Sequence, residues 1–113
     1  MVKVLIAEDY LELLDFYKLS LNHELLLAKD GEEALQMYKE HRPDITLMDI
    51  KLPKKDGLQV IREIKSMDPD AIIVAVTAYS YLASKAFEAG VKEVLRKPFK
   101  ISELNELINK YTK

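Results

Sequence analysis

Cysteine is absent from this 113-residue chain, and so is tryptophan. Without cysteine there is neither a disulfide nor a thiolate metal site, and a reducing compartment is permitted. Glycine occurs three times and proline four times, and no glycine-rich phosphate loop or linker can be traced. An excess of one charge is missing too. Seventeen basic residues face nineteen acidic ones, a net charge of −2 at pH 7, which leaves no basic footprint for nucleic acid. No apolar run approaches the roughly 18 residues of a membrane span. The N-terminus, MVKVLIAED, reaches two acids within nine residues and lacks a signal peptide's apolar stretch and cleavage site. These absences lead to the expectation of a cytoplasmic protein with no direct nucleic-acid or membrane partner.

What is present is ordinary in bulk and ordered in detail. The chain is 49% apolar and 32% charged, enough for one core, so a single domain over residues 1–113 is expected. Short β-rich runs alternate with helix-period segments. Strands are predicted at Val2 to Ala7, Glu24 to Ala28, Ile45 to Met48, Ala71 to Val76 and Val91 to Leu95. Runs such as VLIA and AIIVAV are apolar at successive positions, as in a parallel sheet covered on both faces. The first helix lies in YLELLDFYKLSL, with a predicted buried cluster of Leu13, Phe16, Tyr17 and Leu21. Asp30-Gly-Glu-Glu33 starts the second, which ends at Arg42-Pro43. The third follows Asp56-Gly57 and stops before Pro69. A short fourth runs from near Ser80 to Gly90, and the last opens at Ser102 with Leu104, Leu107, Ile108 and Tyr111 on one stripe. Alternation of this kind implies right-handed crossovers and a doubly wound, three-layer α/β sandwich with strand order 2-1-3-4-5.

In such sheets, ligands bind beyond the carboxyl ends of the strands, at the point where the winding reverses. The polar residues there are Glu8 and Asp9, Asp49, Thr77 and Lys97. Three converging carboxylates repel one another and raise at least one pKa. A hard divalent cation removes the conflict, because Mg²⁺ takes oxygen ligands from carboxylates, waters and phosphates. A hydroxyl and an ammonium opposite them complete a pocket for a phosphoryl group. Nothing else in it is a nucleophile, so Asp49 is the candidate, and aspartyl phosphates are established chemistry.

The motifs LIAED, LMDIKLPKKDG, VAVTAY and LRKPF occur in that order, each at the end of a predicted strand. Together they resemble the receiver domain of two-component response regulators, from Val2 to Tyr111. The flavodoxin-like (β/α)5 winding and its strand order are partly carried over on this resemblance. The resemblance implies that Glu8, Asp9, Asp49 and the main-chain carbonyl of Lys51 bind Mg²⁺ (or Mn²⁺). It implies that Asp49 accepts a phosphoryl group from a sensor histidine kinase or histidine phosphotransferase. It further implies that Thr77 and Lys97 contact that group, that the bond before Pro98 is cis, and that a downstream protein reads the change. Such a domain is not a conventional enzyme. It catalyses its own phosphorylation and slow dephosphorylation, as a monomer or a weak phosphorylation-dependent dimer.

The competing readings are weaker. A haloacid-dehalogenase-like phosphatase wants a second Asp two residues after the nucleophile, where this chain has Lys51. A pseudo-receiver that only binds protein is at odds with the intact Glu8, Asp9, Asp49, Thr77 and Lys97. Asp56 is read as a turn and cap residue, and Lys54 and Lys55 as solvated. Receivers commonly carry an aromatic residue three before the lysine, where this chain has Val94, so Tyr79 and Tyr81 join Thr77 and Val94 as candidate switch residues. Tyr10, Leu11, Leu14 and Phe99 are candidates for docking a kinase or phosphotransferase helix.

Overall fold

The computed structural model describes residues 2–112. Five strands, β1 (Lys3–Ala7), β2 (Glu24–Ala28), β3 (Ile45–Asp49), β4 (Ile73–Thr77) and β5 (Glu93–Arg96), alternate with helices α1 (Leu11–Ser20), α2 (Gly31–His41), α3 (Gly57–Met67), α4 (Ala83–Ala89) and α5 (Ile101–Tyr111). A 3-10 turn at Ser80–Leu82 leads into α4. All the strands pair in parallel, in the order β2-β1-β3-β4-β5, the expected flavodoxin-like receiver winding.

Alternation along each strand feeds two cores. Val4 and Ile6 of β1, Ile45 and Leu47 of β3, and Val74 and Val76 of β4 pack with Leu14 and Tyr17 of α1 and Leu104 and Ile108 of α5. Leu5, Ala7, Met48, Ile73 and Ala75 face the other way, against Leu35 and Tyr38 of α2, Ile61 and Ile64 of α3, and Ala86 of α4. The doubly wound arrangement follows from this two-sided burial, since an all-parallel strand must be covered on both faces.

The helix signals act as the sequence implies. Asp30 Oδ1 accepts the Glu33 amide at 2.8 Å, and Glu33 Oε1 accepts the Lys29 amide at 2.9 Å, satisfying first-turn donors of α2. Asp56 Oδ1 does the same for the Leu58 amide at 2.7 Å. Gly90 ends α4 at φ +109°, a conformation glycine adopts without strain.

Several boundaries differ from expectation. β4 starts at Ile73 rather than Ala71, because the Ala71 amide closes a turn onto Asp68 O at 3.0 Å. β5 starts at Glu93 rather than Val91, whose amide bonds back to Ala86 O at the end of α4. Asp49 and Thr77 are the last residues of their strands, not the first beyond them. The buried stripe of α1 also turns relative to the expected one. Leu14 and Tyr17 are buried, Leu13 is half-buried, and Phe16 is 47% exposed.

Candidate functional site

Strand parity brings the acids together. Val4, Ile6 and Glu8 continue one face of β1, and Ile45, Leu47 and Asp49 continue the same face of β3. The register pairs Ala7 with Met48, so the next residues on each strand, Glu8 and Asp49, sit side by side at the winding reversal. Both are almost wholly buried, at 2% and 6% exposure, while Asp9 is exposed. One ligand atom from each of the three lies within 4.8 Å of the others.

Lys97 enters from the end of β5. Its Nζ donates to Glu8 Oε1 at 2.6 Å and to Asp49 Oδ2 at 2.9 Å. The Lys97–Pro98 bond is cis. The other oxygens of the two acids are held by main chain: Glu8 Oε2 accepts the Tyr10 amide at 3.1 Å, and Asp49 Oδ1 accepts the Lys51 amide at 3.0 Å. The Thr77 hydroxyl oxygen accepts the Tyr79 amide at 3.0 Å. That bond leaves the hydroxyl proton free to be donated.

Electrostatics in this pocket favour positive charge. Burial is the main influence raising the Glu8 carboxyl above its ordinary value; the Lys97 hydrogen bond opposes it, and the nearby Asp49 carboxylate adds to it. Burial alone would lower Lys97, but its hydrogen bonds to Glu8 and Asp49 outweigh that, and its ammonium is held above the ordinary lysine value. Both shifts make the pocket hold protons more tightly than water does. Three carboxylates against Lys97 among them and Lys51 at the rim leave an excess of negative charge. Hard oxygen donors with that excess fit a divalent cation of the Mg²⁺ class.

Glu8, Asp9, Tyr10, Asp49, Lys51, Thr77, Tyr79 and Lys97 line one open cavity of about 350 Å³. The remaining candidates lie elsewhere. Tyr81 stands outside it, 67% exposed, and Val94 borders a separate hollow between β5 and α5. The four docking candidates do not form one surface. Leu14 is 5% exposed and packs in the core, while lining the same groove as Leu11. Leu11 faces a groove beside Leu27 and Lys29. Pro98 and Phe99 border a different, apolar hollow with Leu13, Phe16 and Ala78. Phe16, expected in the core, is thus exposed, Leu13 packs half-buried against the core, and the Tyr17 ring stacks on Phe99, with centroids 6.3 Å apart at 8°.

Of the two lysines expected in solvent, Lys54 is exposed, with 62% of its side chain accessible, and Lys55 is half-buried. Lys54 lies 3.5 Å from Asp30 Oδ2, and Lys55 lies 2.7 Å from Glu63 Oε2. The loop they occupy docks on α2, where the Gly31 amide donates to Pro53 O at 3.1 Å. A Cβ on Gly31 would fall 1.8 Å from Lys55 O, and one on Gly57 would fall 2.1 Å from Asp49 O. Glycine is therefore required at both positions, which close on the main chain of Asp49 and of the loop that follows it.

Comparison with known proteins points the same way. The family model of the response regulator receiver domain matches residues 4–109. The chemotaxis protein CheY of Thermotoga maritima is 41% identical over 88 residues, 76% of this chain and 73% of its own. A response regulator receiver domain protein from Clostridium thermocellum superposes with a TM-score of 0.92 at 30% identity, covering 99% of this chain and 94% of that one. The receiver domain of Ssk1 from Saccharomyces cerevisiae, co-crystallised with the histidine phosphotransfer signaling protein Ypd1, gives a TM-score of 0.90 at 26% identity, over 98% and 88% of the two chains. Sequence, winding and the acids gathered where the winding reverses agree, and this chain belongs to the receiver domain family of two-component response regulators.

Proposed function

We propose that this receiver is a phosphoacceptor switch in which Asp49 takes a phosphoryl group from a phosphohistidine and the change alters binding of a downstream protein. The observation that carries the reading is the placement of Asp49. It is almost wholly buried, accepts a hydrogen bond from the Lys97 ammonium, and shares with Thr77 a cavity open enough to admit a donor. In the transfer, an Asp49 carboxylate oxygen forms a bond to phosphorus, the P–N bond to the donor imidazole breaks, and that nitrogen keeps the electron pair and takes up a proton. Lys97 and the Thr77 hydroxyl would bind the equatorial oxygens, where charge gathers.

Glu8, Asp9, Asp49 and the Lys51 carbonyl would hold Mg²⁺ (or Mn²⁺). When bound, the cation neutralises charge between the incoming phosphoryl group and the carboxylates. The donor is a histidine kinase or a phosphotransferase, a class represented by the Ypd1 that accompanies the Ssk1 receiver.

The test is to incubate the protein with Mg²⁺ and a small acyl phosphate and measure its intact mass. The expected result is a phosphoryl adduct that disappears in Asp49→Asn. Absence of both the adduct and Mg²⁺ binding in the wild type would instead support a domain that only binds protein.

A further inference from the structure

The rim of the Asp49 cavity carries a contact that the phosphoryl chemistry does not use. The Lys51 ammonium lies over the Tyr79 ring, 5.5 Å from its centroid. Tyr79 packs in turn on Tyr81, with centroids 5.8 Å apart at 57°. Each half of the contact is tethered to the reaction centre by its own main-chain amide. Lys51 N–H donates to Asp49 Oδ1, and Tyr79 N–H donates to Thr77 Oγ1, both at 3.0 Å. Lys97 is already matched by Glu8 and Asp49. Among the described residues, Lys51 forms no salt bridge, so its ammonium is the uncommitted cation on this rim.

We propose that the Lys51–Tyr79 contact is the transmitting element of the switch. When Asp49 carries a phosphoryl group, the Lys51 ammonium leaves the tyrosine ring for the phosphoryl oxygens, and the released Tyr79–Tyr81 pair changes the surface at the start of the 3-10 turn. This inference rests on the phosphoacceptor reading above.

The direction follows from the charges. A tyrosine face offers a cation only the field of its quadrupole. A phosphoryl group brings nearly two full negative charges, on atoms attached to the residue whose carboxylate already holds the Lys51 amide. Attraction between full charges is stronger and falls off more slowly. Tyr79 and Tyr81 are 47% and 67% exposed, so they can rearrange without disturbing the core, while Leu82, at 7%, anchors the far end of the turn. The device also suits this sequence. Val94 has no ring to swing, so a signal carried by an aromatic ring must use one elsewhere.

The experiment follows the tyrosine ring resonances by NMR with and without Mg²⁺ and a small acyl phosphate, with the Asp49 adduct verified by mass in the same samples. The variants are Lys51→Met, which keeps the stem and removes the charge, and Tyr79→Leu, which identifies the Tyr79 signals. The wild type should show Tyr79 and Tyr81 shifting on phosphorylation. Unphosphorylated Lys51→Met should already show Tyr79 displaced toward its phosphorylated position, with no further shift when the adduct forms. An adduct that leaves Tyr79 unmoved in the wild type, or moves it equally in Lys51→Met, overturns the proposal. Failure to form any adduct is a different result, because it removes the phosphoacceptor reading and this inference with it.

Discussion

Replacing Lys97 with methionine should destabilise the fold in a way that depends on pH and on cation. The substitution keeps an apolar stem and deletes the ammonium that bridges Glu8 at 2.6 Å and Asp49 at 2.9 Å. At an effective dielectric constant of about 20, each contact carries roughly 6 kcal/mol of gross attraction. Most of that offsets the desolvation of the ions. What deletion exposes is the cost of two buried carboxylates left without a counter-ion, about 3–5 kcal/mol where burial is complete. Glu8 and Asp49 are 2% and 6% exposed, but the Lys97 side chain is 25% exposed, so water can enter in its place. The expected loss in chelator at neutral pH is therefore at the low end, about 3 kcal/mol.

The pH dependence of that loss follows from Glu8. Burial already raises its carboxyl above 4.5, and the lysine hydrogen bond that opposes the rise is removed. A group with a raised folded pKa contributes stability below its unfolded value and loses that contribution as pH rises through its folded value. The deficit of Lys97→Met should thus be small in acid and open as pH rises through the folded value of Glu8. Mg²⁺ at a hundredfold excess over its dissociation constant should return about 2.7 kcal/mol. Urea unfolding followed by circular dichroism, in chelator and in Mg²⁺ at acid and neutral pH, measures all of this. A neutral-pH loss below about 1 kcal/mol, the range of exposed ion pairs, or a loss independent of pH, would refute the account of a dry, acid-rich pocket.

Two further substitutions test the frame around the site. Thr46 is fully buried on β3 and its hydroxyl has no hydrogen-bond partner. Thr46→Val removes that group at nearly constant shape and should stabilise the fold by about 1 kcal/mol, read as a rise in the urea midpoint with unchanged slope; a fall in the midpoint would count against it. Gly31→Ala places a Cβ 1.8 Å from Lys55 O and should cost about 1–3 kcal/mol through forced displacement of the loop. Helix propensity alone predicts a gain there, so the sign of the measured change decides between the two.

What the sequence reveals, and what it hides, divides by the range of the physics involved. Asp30 and Asp56 are legible as caps because a cap acts over two or three residues. The strands are legible from uninterrupted apolar runs, and the location of the site follows from parallel winding. The face of α1 is not legible, because apolar residues at positions 11, 13, 14, 16, 17, 19 and 21 surround most of the helix. Its orientation depends on contacts distant in the chain, among them Tyr17 stacking on Phe99 in the segment between β5 and α5. Lys55 fails as a solvated residue for the same reason, since its partner Glu63 lies on α3, whereas Lys54 pairs with the α2 cap Asp30 while 62% exposed. Their pairing shows that a lysine-rich loop can be a docked one.

Lys97 stands between these cases. Its membership in the site is readable from its position after β5, but its pairing with Glu8 spans 89 positions. Charge compensation inside a poorly solvated pocket supplies the missing step. Two neighbouring carboxylates buried almost wholly need a cation beside them. Lys97 is the basic side chain that bridges them, and its bonds to Glu8 Oε1 and Asp49 Oδ2 offset their mutual repulsion. A residue assigned by motif to a phosphoryl group is, on this account, also the counter-ion that allows two acids to be buried side by side.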